Sequence, residues 1–121
     1  MPFQGILEEL VERVPGARAA VLADGEGEAV SAYTSGEGTD YDIKFIGAHH
    51  GILLDRARKI LDQLQFGQAQ ELSFVQDHFH VLTAPVNRDY YVVLTVSSET
   101  ALGRARFELR KALARLKKEI E

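Results

Sequence analysis

The run Tyr90-Tyr91-Val92-Val93-Leu94-Thr95-Val96 is almost continuously apolar and β-branched. Side chains alternate between the two faces of a strand, so a run like this belongs near the middle of a sheet with both faces covered. The chain has 121 residues, enough for one core and one domain, 1–121, whose folding removes roughly two-thirds of the unfolded surface from water. The remaining sequence must therefore supply flanking strands and a layer on each side.

Periodicity supplies both. Phe3, Ile6, Leu7, Leu10, Val11 and Val14 recur at the spacing of one helical stripe, which Pro15-Gly16 stops. Ala17 to Ala23 and Ala29 to Thr34 read as short strands around Asp24-Gly25-Glu26-Gly27-Glu28, a hairpin connection. Gly36-Glu37-Gly38 reads as a turn, and Thr39 or Asp40 as the cap of a long helix that ends near Leu64, with Gly67 marking its exit. Three strands follow: Glu71 to Gln76, Phe79 to Val86 and Tyr90 to Val96, joined by Asp77-His78 and Asn87-Arg88-Asp89. Ser97 to Thr100 are expected to start a final helix with the stripe Leu102, Ala105, Leu109, Ala112, Leu113, Leu116 and Ile120. Short links demand antiparallel pairing. The order α-β-β-α-β-β-β-α thus predicts an α/β sandwich, a five-stranded antiparallel sheet with helices on both faces.

Motifs for chemistry are missing. Without cysteine there is no disulfide scaffold, thiol nucleophile or thiolate metal site. No P-loop occurs, and neither Gly25-Glu26-Gly27 nor Gly36-Glu37-Gly38 has the third glycine of a dinucleotide fingerprint. His78 and His80 would share a strand face, while His49 and His50 diverge on the long helix, so no metal site is expected. No serine-nucleophile motif is present. The expectation is a protein that is not an enzyme and has no catalytic residue, cofactor or metal. The segment Met1 to Glu12 is amphipathic and acidic rather than a signal peptide, and no stretch is long enough to span a bilayer. That leads to an expected cytoplasmic location without membrane insertion. The net charge of −4 conceals an asymmetry: three Lys/Arg against ten Asp/Glu in residues 1–55, then eleven against eight. Acids interleave with the basic residues after Ala101, so a nucleic-acid partner is not expected.

The long helix has more apolar surface than one sheet can bury. Projected at 100° per residue, Ile43, Ile46, Leu53, Leu54, Ala57, Ile60, Leu61 and Leu64 form the face expected to pack on the sheet. Tyr41, Phe45, Ala48 and Ile52 form a second face, covered either by loops or by a protein partner, and the partner is the reading taken. Gly47 and Gly51 fall on a third sector, where two backbones could approach.

The element order resembles the Roadblock (dynein light-chain) superfamily, whose fold is Roadblock/profilin-like, over essentially the whole chain. Two segments carry the likeness: Leu7-Glu8-Glu9-Leu10 leading through Val14-Pro15-Gly16-Ala17-Arg18-Ala19-Ala20-Val21-Leu22 to Asp24-Gly25, and the closing run Ala101-Leu102-Gly103-Arg104-Ala105-Arg106-Phe107-Glu108-Leu109-Arg110. The resemblance implies a homodimer built from the long helix and the strand Glu71 to Gln76; because the second apolar face and the strand edge both need cover, Tyr41, Phe45, Ala48, Ile52, Leu72 and Phe74 are expected at the interface. It also implies a small Ras-like GTPase as partner, since bacterial members of the MglB type bind one across the paired long helices. The outward residues Lys44, Gly47, Gly51, Asp55, Arg58 and Lys59 are the candidate contacts. Arg56, Arg58 and Arg88 are candidates for an arginine acting in trans. A small-molecule sensor, or a scaffold without a GTPase, is the alternative. The segment Tyr41 to Gly51 departs from the resemblance, being more aromatic and histidine-rich than the Ala/Leu-rich helix of the bacterial GTPase regulators.

Overall fold

The computed structural model describes residues 2–36 and 38–121. Its elements are α1 (Pro2–Arg13), β1 (Ala17–Asp24), β2 (Ala29–Thr34), α2 (Asp40–Leu64), β3 (Leu72–Val75), β4 (Phe79–Pro85), β5 (Tyr90–Ser97) and α3 (Leu102–Ile120). Glu37, in the turn read at Gly36-Glu37-Gly38, lies outside the described residues, as does Met1.

The strands form one five-stranded sheet in the order β2-β1-β5-β4-β3, every neighbouring pair antiparallel. The apolar run Tyr90–Val96 thus sits in the middle strand, as its composition requires. Alternation along β5 splits the interior. Val92, Leu94 and Val96 join Leu7, Leu10, Val11, Leu109, Ala112 and Leu116 under α1 and α3, whereas Tyr91 and Val93 join Val21, Ile43, Leu54 and Val81 under α2. Strands β2 and β3 are the edges.

The turns close through side chains acting as backbone substitutes. Asp24 Oδ1 accepts the N–H groups of Glu26 and Glu28 at 2.9 and 3.1 Å, and Asn87 Oδ1 accepts those of Asp89 and Tyr90 at 2.8 and 3.0 Å. Asx turns of this kind are why Asp and Asn punctuate strands. The cap of α2 is Thr39, whose hydroxyl accepts the Asp42 N–H at 3.4 Å.

Two expectations require correction. Ser97 to Thr100 do not start the last helix, which begins at Leu102 behind Ala101 with no side-chain cap. Ser97 and Thr100 bond each other, and Thr100 donates to the Pro15 carbonyl at 3.2 Å while the Gly16 carbonyl accepts the Ser97 N–H at 2.8 Å. These residues staple the α1–β1 turn to the end of β5. Gly16 permits the staple through its φ of 91° and its lack of a β-carbon, which would lie 2.2 Å from the Thr100 hydroxyl.

The second correction concerns the exit of α2. Gln65, not Gly67, takes the first left-handed position, at φ 57°. Its N–H reaches the Asp62 carbonyl at 3.2 Å and the Phe66 N–H reaches Leu61 at 3.0 Å, the paired bonds of a Schellman ending. A β-carbon in that conformation is strained. Gln65→Gly is therefore expected to stabilise the fold by about 1 kcal/mol, measured as a higher denaturation midpoint at unchanged slope.

Candidate protein-binding surface

How α2 is rotated about its axis decides which side chains remain available. The helix lies over β1, β2 and β5, with Ile43, Gly47 and Leu54 buried beneath it. Tyr91 rises from β5 and donates its hydroxyl to the Gly47 carbonyl at 2.9 Å. A β-carbon on Gly51 would sit 2.1 Å from that hydroxyl, and one on Gly47 would sit 2.7 Å from Val21 Cγ1. The two glycines form a notch that admits sheet side chains. Burial, and secondarily Asp24, raises the Tyr91 phenol above its ordinary pKa, which keeps it a donor.

This rotation overturns part of the expected outward sector. Gly47 and Gly51 face the sheet, because bulky Val21 and Tyr91 leave room only for glycine opposite them. Arg58 is half-buried, and its guanidinium donates to the Asn87 and Arg88 carbonyls at 3.1 and 3.4 Å, bracing the β4–β5 turn. Lys44, Asp55 and Lys59 remain exposed, the last two paired at 3.0 Å. Arg56 and Arg88 are also exposed.

The same rotation turns out side chains expected in the core. Ile60 and Leu64 are 55% and 54% exposed, and Leu53 is exposed beside them. They lie about 100° around the helix from Tyr41, Phe45 and Ile52, so exposed apolar side chains occur toward both ends of α2 on two adjacent sectors. Phe66, just beyond the helix, is exposed as well. Tyr41 stacks on Phe45 at 6.2 Å between ring centroids, and Phe45 meets His49 at 4.3 Å. Ala48 stands apart from this face, half-buried against Gly27 of the β1–β2 turn.

Next to this face lies the β3 edge. Leu72 and Phe74 pair with Thr83 and Val81 on β4 and point to the α2 side of the sheet, where both are half-buried. The Phe74 ring meets His50 edge-on at 5.0 Å. Among the described residues, the buried polar atoms without a hydrogen-bond partner are His50 Nδ1 and Thr83 Oγ1, both on this side. The opposite side of β3 is clamped. Arg106 of α3 bonds Glu71 at 2.7 Å and Ser73 at 3.4 Å. Buried His80 accepts the Gln76 N–H at 3.1 Å through Nδ1 and donates through Nε2 to the Ser98 carbonyl at 3.2 Å. His78 lies in the turn, so it does not share a strand face with His80.

A groove of about 760 Å³ opens between the C-terminal half of α2, residues 67–71, the β4–β5 turn and α3. Charged side chains such as Arg58, Asp62, Arg88 and Lys117 wall it, unlike the mostly apolar wall of a small-molecule pocket. Among the described residues, no group of three His, Asp or Glu side chains could hold a metal ion, and no helix is long and apolar enough to cross a membrane.

These features define an α/β sandwich with exposed apolar side chains on one long helix and an unpaired strand at the neighbouring sheet edge. Its fold is that of the Roadblock/LC7 domains. The chain superimposes on a Roadblock/LC7 domain from Streptomyces avermitilis with a TM-score of 0.87 at 14% identity, covering 97% of this chain and 96% of that one. The gliding protein MglB from Thermus thermophilus matches with a TM-score of 0.86 at 16% identity, over 97% and 87% of the two chains. MglC from Myxococcus xanthus matches at 25% identity and a TM-score of 0.70, over 98% and 99%. No family model and no curated protein matches the chain in sequence.

The notch predicts opposite outcomes for two glycines. Gly51→Ala should cost about 2 kcal/mol or more, because Tyr91 must leave its place. Gly103→Ala, in α3 with nothing within 4 Å of its β-carbon, should stabilise by about 0.5–1 kcal/mol. Chemical denaturation reads both.

His50 gives a pH signature. Burial, and then His49, lowers its pKa below the ordinary 6.5. The unfolded chain then binds the proton more readily, so this contribution is complete above pH 6.5 and is lost as pH falls toward the folded-state value. In His50→Leu, the fall in stability below pH 6.5 should be shallower; an unchanged slope would assign the acid sensitivity elsewhere.

Proposed function

We propose that the chain is a homodimeric assembly module in which α2 and β3 of two copies pair, and that a small Ras-like GTPase docks on the paired long helices. The observation that carries the dimer is the exposed apolar side chains of α2 beside the unpaired edge of β3. Each covers a separate liability: exposed apolar area favours association by about 25 cal/mol per Å², and an open edge offers unpaired backbone groups to another strand. A two-fold arrangement lets identical edges satisfy each other. The likeness to MglB, one structure of which is described as tetrameric, supports self-association, and the resemblance to GTPase-binding Roadblock proteins supports the partner. Lys44, Asp55 and Lys59 are the polar contacts retained for it. Gly47, Gly51 and Arg58 are withdrawn because they serve the fold.

In this reading the protein hydrolyses nothing itself. It acts by preferring one nucleotide state of its partner, since only differential affinity shifts the switch equilibrium. Arg58 is committed to the β4–β5 turn, leaving Arg56 and Arg88 as the candidates for an arginine acting in trans.

Light scattering should give a dimer for the unmutated protein and monomers for Phe45→Asp and Phe74→Asp, with far-UV dichroism preserved. A strict monomer before mutation would remove the proposal; a dimer that survives both changes would move the interface elsewhere. For the GTPase, reversal of Lys44 and Lys59 to Glu should weaken binding roughly tenfold. Equal affinity for the GTP-analogue and GDP forms would leave a passive scaffold.

A further inference from the structure

The solvent face of α3 is a second surface, on the opposite side of the sheet from α2. This helix holds seven of the chain's 14 Lys and Arg and only two acids, in a chain of net charge −4. Its inner stripe is Ala105, Glu108, Leu109, Ala112 and Leu116. At 100° per residue, Arg104, Phe107, Arg110, Lys111, Lys117 and Lys118 point away from it, and all six are exposed. The acids leave this strip uninterrupted. Glu108 is buried beneath it, 3.5 Å from Arg104 and 3.6 Å from Lys111, and Glu119 falls off its flank.

The cations differ in how far they are already paired. Arg106 is bonded to Glu71 and Arg115 to Glu9, while Arg104 and Lys111 share Glu108. Among the described residues, Arg110, Lys117 and Lys118 have no carboxylate within ion-pair distance. Amid this charge, Phe107 is 59% exposed with the Lys111 ammonium 5.4 Å from its ring centroid. The acids of neighbouring α1 are turned aside. Glu9 pairs with Arg115, and Glu12 and Glu8 stand beside Tyr33 of β2, where burial first and then these carboxylates raise the phenol's pKa.

We propose that this face docks the protein on an anionic phospholipid surface, with Arg110, Lys117 and Lys118 meeting headgroup phosphates and Phe107 entering at headgroup level. Clusters of this size on one helix are drawn to the negative potential of such surfaces. The apolar stripe of α3 is already used in the core, so the helix lies on the bilayer and does not enter it. The acidic remainder of the chain is repelled, which leaves this strip as the approach. A nucleic acid fits less well. Packed alongside α1, α3 does not protrude as groove entry requires, and a lone aromatic provides no series of stacking platforms.

The test is sedimentation of the full chain with vesicles of phosphatidylcholine alone and with vesicles that also contain phosphatidylglycerol. Pelleting is expected only with the second, weakening as the screening length falls from about 10 Å at 0.1 M salt to about 3 Å at 1 M. The triple variant R110E/K117E/K118E disturbs no ion pair and should lower partitioning roughly a hundredfold at an unchanged melting temperature. If it does not fold, R110Q/K117Q/K118Q serves with a smaller expected loss. Phe107→Ser should weaken binding several-fold and keep the salt dependence. Equal pelleting with both vesicles, or full binding by a folded triple variant, would overturn the proposal. So would binding to a polyglutamate peptide or a DNA duplex without binding to phosphatidylglycerol vesicles.

Discussion

Tyr91 projects from the middle strand into the backbone of α2, and the helix accepts it through two glycines one turn apart. The rotation of α2 follows from that contact, because any larger residue at Gly51 would collide with the phenol. Ile43 and Leu54 are then carried inward, and Phe45, Ile52, Ile60 and Leu64 outward. Exposed apolar surface on α2 is thus not a packing failure. It is the geometric complement of a helix seated on Ile43, Gly47 and Leu54.

This explains which parts of the molecule could be read from the chain. The middle position of β5, the division into layers and the Asp24 and Asn87 turns rest on local rules: alternation, helical stripes and side chains that mimic backbone. Such rules act within a few residues and survive without knowledge of partners in space. The face of α2 does not have that character. A projection of hydrophobicity ranks side chains by what they would gain from burial, and by that measure Leu53, Ile60 and Leu64 belong inside. The structure decides otherwise, since no residue of α2 beyond Leu54 is buried. The pair Gly47 and Gly51 was the available signal, but it marked a close approach of sheet to helix and not of helix to helix. Ser97 and Thr100 misled for a related reason: their hydroxyls suit a helix cap, yet they bond each other, and that of Thr100 reaches a turn more than eighty residues away in sequence.

The sheet also separates two kinds of surface. On the α2 side the exposed chemistry is aromatic and aliphatic, adjoining an open strand edge. On the α1 and α3 side it is charged, with the cations gathered on α3 and the acids of α1 turned toward β2 or neutralised. These surfaces share no side chain, and they meet only at the groove that Asp55 and Lys59 border from one side and Arg110 and Lys117 from the other. The five strands between them are continuous through their hydrogen bonds, so the two faces keep a fixed relative orientation.

The clamps on β3 bear on how fast an edge like this can be used. Four residues long and paired on one side only, β3 would fray if left alone. Arg106 holds its leading end through Glu71 and Ser73, and His80 holds its trailing end through Gln76. The strand is therefore already in its extended, register-fixed shape before anything meets it. An incoming strand has only to find the right orientation, which places encounter in the regime of rigid-body association, about 10⁵–10⁷ M⁻¹s⁻¹, and leaves the lifetime of the pair to be set by how well the α2 faces fit.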